Sequence, residues 1–309
     1  KSLNIPTLKL QWVMNSYFLA NCIFMILAGN LGDLYGYKKI FLIGSTIFAI
    51  SSLIAGLSNT AYMLFIMRFV QGVGASIIFT NAVSLITHAF PEKKLTKAFS
   101  IYGIFTGVGL AIGPFIGGSL IQLLSWRWVF FINIPFFIIS MGLYLFSAKI
   151  YKDSSVKVKI DFSGLILWAI TSSTLLLGII YGGHTNFTNK YILILFSISI
   201  IAFIMLLITE LKHKEPLLTF QFFTNKFFLG GALICILGGT TSSITLFFEP
   251  LYLQSIRHET AFMSGIILCI IPVTVTICAT IIPSSEKQFG IIKLLVFGLL
   301  CACLAGLTQ

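Results

Sequence analysis

Ten apolar runs, each close to the length that crosses a bilayer, constrain this chain more than anything else in it. They lie at about residues 11–30, 40–58, 62–88, 98–123, 128–148, 163–183, 190–209, 227–249, 263–283 and 291–308 of the 309. A hydrocarbon core about 30 Å thick is spanned by ~20 predominantly apolar helical residues. The connections between runs are short and leave no room for an inserted soluble domain. Composition agrees: 57% of residues are hydrophobic and only 9% are charged, with a mean hydropathy of +1.00. Too few polar residues exist to cover a water-soluble domain. An all-α polytopic membrane protein is therefore expected.

The formal net charge of +11 could point to nucleic acid, but the basic residues sit in short turns between apolar runs rather than along one face. They alternate. One set of connections holds Lys38, Lys39, Lys93, Lys94, Lys97, Lys149, Lys152, Lys157, Lys159, Lys212, Lys214, Lys226, Lys287 and Lys293. The other holds only Lys1, Lys9, Arg127, Lys190 and Arg257. Lys and Arg concentrate on the cytoplasmic side of membrane proteins, so the first set is expected inside and the N-terminus outside. The chain starts at Lys1 rather than Met and stops just after an apolar run, which leads to the expectation of truncation at both ends.

Cysteines and histidines carry little chemistry. Cys22, Cys235, Cys269, Cys278, Cys301 and Cys303 all fall in apolar runs without a Cys-x-x-Cys pair, and are expected to be small buried hydrophobes. His88, His184, His213 and His258 are scattered. No metal or cofactor is expected. Asn186-Phe-Thr188 is a formal glycosylation sequon in an external turn.

Three stretches stand out inside the apolar pattern. The run from Gly109 to Gly118 includes Gly109, Gly113, Pro114, Gly117 and Gly118. Gly and Pro are penalised in ordinary helix interiors but tolerated in membranes, where small residues let helices approach closely. A bend and a tight crossing are expected there. The turn Gly29-Asn-Leu-Gly-Asp33-Leu-Tyr-Gly36-Tyr-Lys38-Lys39 places three glycines around one acid. Asp33 can accept from a helix N-terminus and the lysines can anchor at anionic headgroups. Arg68 lies roughly 9 Å into its run at 1.5 Å rise per residue. An arginine within a span costs about 2.5–3.5 kcal/mol on insertion scales, so it should face a cavity or a partner. Gln71 follows one turn along on the same face, before the small residues Gly72, Gly74, Ala75 and Ser76. Glu249-Pro250 is expected to close the eighth run near the outer leaflet, as an interfacial acid or as a site for a proton or cation. Arg127, between Trp126 and Trp128, is expected to be an interface anchor.

Together these residues resemble the major facilitator superfamily. Gly29, Leu31, Asp33, Gly36 and Lys38 are similar to its loop signature, with Leu34 and Tyr37 in place of usual basic residues. The stretch from Leu64 through Arg68, Gln71 and Gly72 to Gly74 resembles its fourth-helix signature, and Gly109–Gly118 its antiporter motif. The stretches Trp126–Pro135, Pro250–Gln254, Gln11-Trp12 and Leu211-Lys-His-Lys-Glu-Pro-Leu217 resemble the 14-helix drug:proton antiporters, and the chain would then hold about helices 2 to 11. That resemblance implies two helix bundles with two extra central helices: an N-terminal bundle at 1–148 lacking its first helix, two linking helices at 149–210 and an incomplete C-terminal bundle at 211–309.

What the resemblance implies is a proton-coupled antiporter of the bacterial inner membrane, exporting hydrophobic or cationic compounds by alternating access. Arg68, Gln71 and Glu249 would serve proton coupling and transport. Gly29, Asp33, Gly36 and Lys38 would form the cytoplasmic gate loop, and Gly109, Gly113, Pro114, Gly117 and Gly118 the antiporter helix. The partners implied are the lipid bilayer, a small-molecule substrate and protons, with no nucleic acid and a monomeric state. Two alternatives stay open: a non-transporting remnant or partner subunit, and a metabolite or siderophore exporter. A membrane-embedded enzyme would need clustered His, Asp or Glu, and the nine acids are scattered.

Overall fold

The computed structural model describes residues 7–147, 161–212, 224–290, 293–294, 296–298 and 300–301. Lys1, Lys149, Lys152, Lys157, Lys159, His213, Lys214 and Cys303 lie outside the described residues, as does most of the 291–308 run. Among the described residues the secondary structure is helical. In chain order the helices are α1 (Thr7–Tyr35), α2 (Tyr37–Gly56), α3 (Ala61–Ala89), α4 (Glu92–Leu123), α5 (Trp128–Phe131), α6 (Asn133–Ser147), α7 (Phe162–His184), α8 (Lys190–Lys212), α9 (Lys226–Ser255), α10 (Ala261–Leu268) and α11 (Ile270–Phe289). Six of them, α1 to α4, α7 and α8, contain stretches long and apolar enough to cross a membrane, and shorter apolar stretches occupy Trp128–Tyr144 and Phe228–Thr241.

Proline explains where two expected runs are each divided. The run at 128–148 becomes α5 and α6, and the run at 263–283 becomes α10 and α11. Pro135 and Pro272 each sit at the third residue of the second helix. There a missing N–H belongs to the first turn, which has no intrahelical acceptor in any case. Pro114 and Pro250, by contrast, lie inside α4 and α9 without interrupting them. The expectation that Glu249-Pro250 closes its run is therefore corrected: α9 continues to Ser255. Side-chain caps mark other helix starts, with Asp161 accepting from the Gly164 amide and Thr260 from the Met263 amide.

The chain forms two compact units, Lys1–Leu85 with Trp126–Cys235 and Ile86–Ser125 with Ile236–Gln309. In the first, α1 and α3 run parallel: Arg68 reaches Val13, Thr80 reaches Met25 and Asn81 reaches Ala28. Helix α2 is antiparallel to α3, with Gly74 against Phe48 and Gln71 against Ser52. Helices α7 and α8 form an antiparallel hairpin, joined by Ser199 donating to the Thr171 carbonyl at 3.0 Å. Helix α7 docks on α1, where the Trp168 indole donates to the Cys22 carbonyl and Trp12 meets Tyr181. In the second unit α4 packs with α10 and α11.

Burial is inverted relative to a water-soluble protein. Gln71, Asn81, Ser51, Ser52, Ser58, Ser76 and Ser264 are among the largest fully buried side chains. Phe18, Tyr62, Phe105, Phe136 and Leu211 are exposed. Most of these buried polar side chains find partners inside while many large apolar ones face outward, the arrangement that hydrocarbon surroundings stabilise. The cysteines follow the same logic. Cys22, Cys235, Cys278 and Cys301 are exposed rather than buried as expected, since lipid removes the drive that buries a small apolar side chain in water.

Candidate functional site

The first unit is joined through its interior by a polar seam centred on Arg68. The guanidinium donates through Nε to the Val13 carbonyl at 2.8 Å and through Nη1 to the Gln71 Oε1 at 2.6 Å. Its carbon lies 4.3 Å from the Tyr17 ring centroid and 5.9 Å from that of Phe130, within the range where a ring face attracts a cation. No carboxylate is bonded to Arg68 among the described residues. Gln71 is 1% exposed, and its Nε2 donates to Ser52 Oγ at 3.0 Å. Ser52 also accepts from Asn133 Nδ2 at 2.8 Å and donates to the Phe130 carbonyl at 2.9 Å. Arg68 and Gln71, one helical turn apart in sequence, are thus in direct contact.

Small residues bring the helices close enough for these bonds. A Cβ at Gly72 would collide with the Tyr17 carbonyl, and one at Gly74 would lie 2.7 Å from the Phe48 nitrogen. Only glycine lets α3 approach α1 and α2 at these points. Farther along, Asn81 is fully buried and donates to the Ala28 and Ile77 carbonyls at 3.0 and 2.9 Å. Its Oδ1 has no hydrogen-bond partner and abuts Gly32.

The α1–α2 turn departs from expectation in its details. Asp33 Oδ1 accepts from the Tyr37 hydroxyl at 2.6 Å, and Gly36, at the N-cap of α2, brings no side-chain cap. Gly36 has φ of 95°, a conformation open chiefly to glycine. Its amide donates to the Gly32 carbonyl at 2.9 Å, which seals the end of α1. Gly29 makes only an ordinary approach to Thr80, whereas Gly32 is tightly enclosed by Asn81 and Tyr37. Lys38 is half-buried.

The Gly109–Gly118 run lies within the unbroken helix α4 in the second unit. The expectation of tight crossings at its glycines is corrected for three of them: a Cβ at Gly109, Gly113 or Gly117 would meet nothing within 4 Å. Gly118 is buried. The close approach instead comes from Gly265 on α10, whose added Cβ would lie 3.0 Å from Phe115 Cα and 3.1 Å from the Pro114 carbonyl oxygen. The Phe115 and Phe262 rings pack beside it at 5.1 Å. Glu249 is half-buried on α9, in the second unit.

Sequence reasoning missed Tyr17, Ser52, Asn81 and Gly265. Polar residues inside a span are a usable signal for Ser52 and Asn81, but serine is common in such runs and neither has a charge to draw attention. Arg127 is the residue expected as an interface anchor. It donates to the Ser58 carbonyl at 3.0 Å and lies over Trp126 at 4.7 Å, fastening the segment after α2 to the start of α5.

Helices with apolar exteriors around a buried polar seam define a multi-pass helical membrane protein. The sequence matches the Major Facilitator Superfamily over residues 1–308, and the chain belongs to that family. It is 33% identical over 263 residues to Multidrug resistance protein 3 of Bacillus subtilis, covering 84% of this chain and 51% of that protein. It is 30% identical over 303 residues to Riboflavin transporter RibZ of Clostridioides difficile, covering 97% of this chain and 65% of that protein. Identity to the Methylenomycin A resistance protein of Streptomyces coelicolor is 26% over 310 residues, covering 100% of this chain and 65% of that protein. The chain spans between half and two thirds of the length of these relatives.

Proposed function

We propose that this protein is a secondary transporter of the bacterial inner membrane that exchanges protons for an exported hydrophobic or cationic compound. The observation that carries the reading is Arg68, a cation inside a spanning helix, held by a carbonyl, an amide and two aromatic rings rather than by a carboxylate. A charge inside a span is costly to insert, so its presence there points to a function, and its environment can change when a proton or substrate arrives. Names of relatives support the cargo class: one is a multidrug resistance protein and another a Tetracenomycin C resistance and export protein. The 30% identity to a riboflavin transporter favours a second reading, in which the cargo is a metabolite.

Within this proposal Arg68 and Gln71 serve coupling, and Asp33 with Gly29, Gly36 and Lys38 forms the cytoplasmic gate. Pro114 and the glycines around it seal the second unit, and Glu249 accepts a proton or a cation. The 14-helix architecture, the division at 1–148, 149–210 and 211–309 and a monomeric state belong to the same proposal. A susceptibility and uptake panel in an efflux-deficient host, with ethidium and riboflavin among the compounds and with or without a proton uncoupler, separates the cargo classes. Arg68→Ala in the full-length protein is expected to insert normally and to lose uncoupler-sensitive efflux. Undiminished efflux from that variant would remove Arg68 from the mechanism.

A further inference from the structure

Arg68 is oriented by a hub that lies one residue beyond its own contacts. A serine hydroxyl has one proton to donate and two positions at which to accept. Ser52 uses all three: it donates to the Phe130 carbonyl at 2.9 Å, and accepts from Asn133 Nδ2 at 2.8 Å and Gln71 Nε2 at 3.0 Å. Because its proton is committed to Phe130, Ser52 meets the Gln71 amide as an acceptor. The amide must then turn its nitrogen to Ser52 and its oxygen to Arg68. The opposite orientation would place N–H donors against guanidinium donors and leave the amide oxygen facing a hydroxyl with no proton to give. Ser52 is completely buried, so water cannot substitute for any of the three partners.

The hub also spans a break in the fold. Phe130 belongs to α5 and Asn133 is the first residue of α6, on either side of the interruption at Ile132. Ser52 therefore holds both sides of that break with one oxygen.

We propose that Ser52 and Asn133 are positioning residues of the Arg68 site: they fix the Gln71 amide toward the guanidinium and tie its orientation to the α5–α6 break. This rests on the coupling role proposed for Arg68, but its geometric content can be tested apart from transport. The full-length protein is labelled with ¹⁵N-arginine in lipid nanodiscs, and solvent exchange of the Arg68 Nη protons is measured, the resonance being identified by its loss in Arg68→Lys. Loss of one buried hydrogen bond should accelerate exchange about tenfold. Gln71→Ala and Ser52→Ala are each expected to do so, and the double variant to exchange no faster than Gln71→Ala alone.

Asn133→Ala leaves the serine in place and is expected to give a smaller acceleration in the same direction, so the test holds if Ser52→Ala fails to insert. A purely structural Ser52 would lower the melting temperature while leaving Arg68 exchange in the folded protein unchanged. That result, or additive effects of Ser52→Ala and Gln71→Ala, overturns the proposal. Ethidium efflux tests the other claim separately. If Arg68→Ala exports ethidium with unchanged uncoupler sensitivity, the coupling role falls while the exchange data still decide the positioning.

Discussion

At the scale of single residues, glycines of identical chemistry have opposite roles depending on what faces them. A methyl at Gly72 would enter the Tyr17 carbonyl, which is backbone and cannot rotate away. Gly72→Ala is therefore expected to lower folded stability by about 1–3 kcal/mol through overpacking, measured as a lowered melting temperature in detergent. Gly113 faces open space. There the same substitution is expected to be neutral or to stabilise the helix by up to ~1 kcal/mol, with the melting temperature unchanged or raised. Gly36 differs again. Its φ of 95° makes Gly36→Ala strained whatever the space around it, at about 1–3 kcal/mol. The three substitutions are indistinguishable in the sequence, because each removes a glycine from a glycine-rich signature.

At the scale of elements, the closest approach of α4 and α10 is owed to Gly265 rather than to the glycines of the Gly109–Gly118 run. Replacing Gly265 with leucine puts a branched side chain where Phe115 Cα and the Pro114 carbonyl already lie. The packing of α4 on α10 should then open. A cysteine pair at positions 115 and 262, whose native rings are 5.1 Å apart, should be joined by a short bismaleimide in a chain whose native cysteines are replaced, and joined less with Gly265→Leu. Crosslinking that survives the leucine would show that the approach tolerates side chains. The approximate positions of the helices were legible in advance from the apolar runs, but not their ends: α1 begins and ends outside the run at 11–30, α4 begins at Glu92 and α9 continues to Ser255. Pro135 and Pro272 lie in the first turn of new helices while Pro114 and Pro250 lie inside continuous ones. A run pattern alone does not tell these cases apart, since what decides is whether the freed carbonyl and the ring are accommodated by neighbouring backbone.

At the scale of the whole molecule, the basic residues alternate between connections as the positive-inside rule requires. In a cysteine-free background, Asn186→Cys between α7 and α8 should react with a membrane-impermeant thiol reagent in intact cells. Lys94→Cys, at the start of α4, should react only after permeabilisation. The reverse pattern would invert the topology.

The sequence by itself determined the membrane class, the helical content and the signatures that resemble the family, because run length, charge alternation and residue type are one-dimensional properties. It also brought Arg68 and Gln71 together, since residues three apart on a helix share a face. Tertiary structure decided the rest. Ser52 reaches Gln71 from a different helix, across 19 residues of chain, and Asn133 reaches Ser52 across 81. Gly265 fits against Pro114 from far along the sequence. Such contacts depend on which helices are adjacent and in what register, and inside an apolar exterior a serine or glycine that makes them has the same local signature as one that faces lipid.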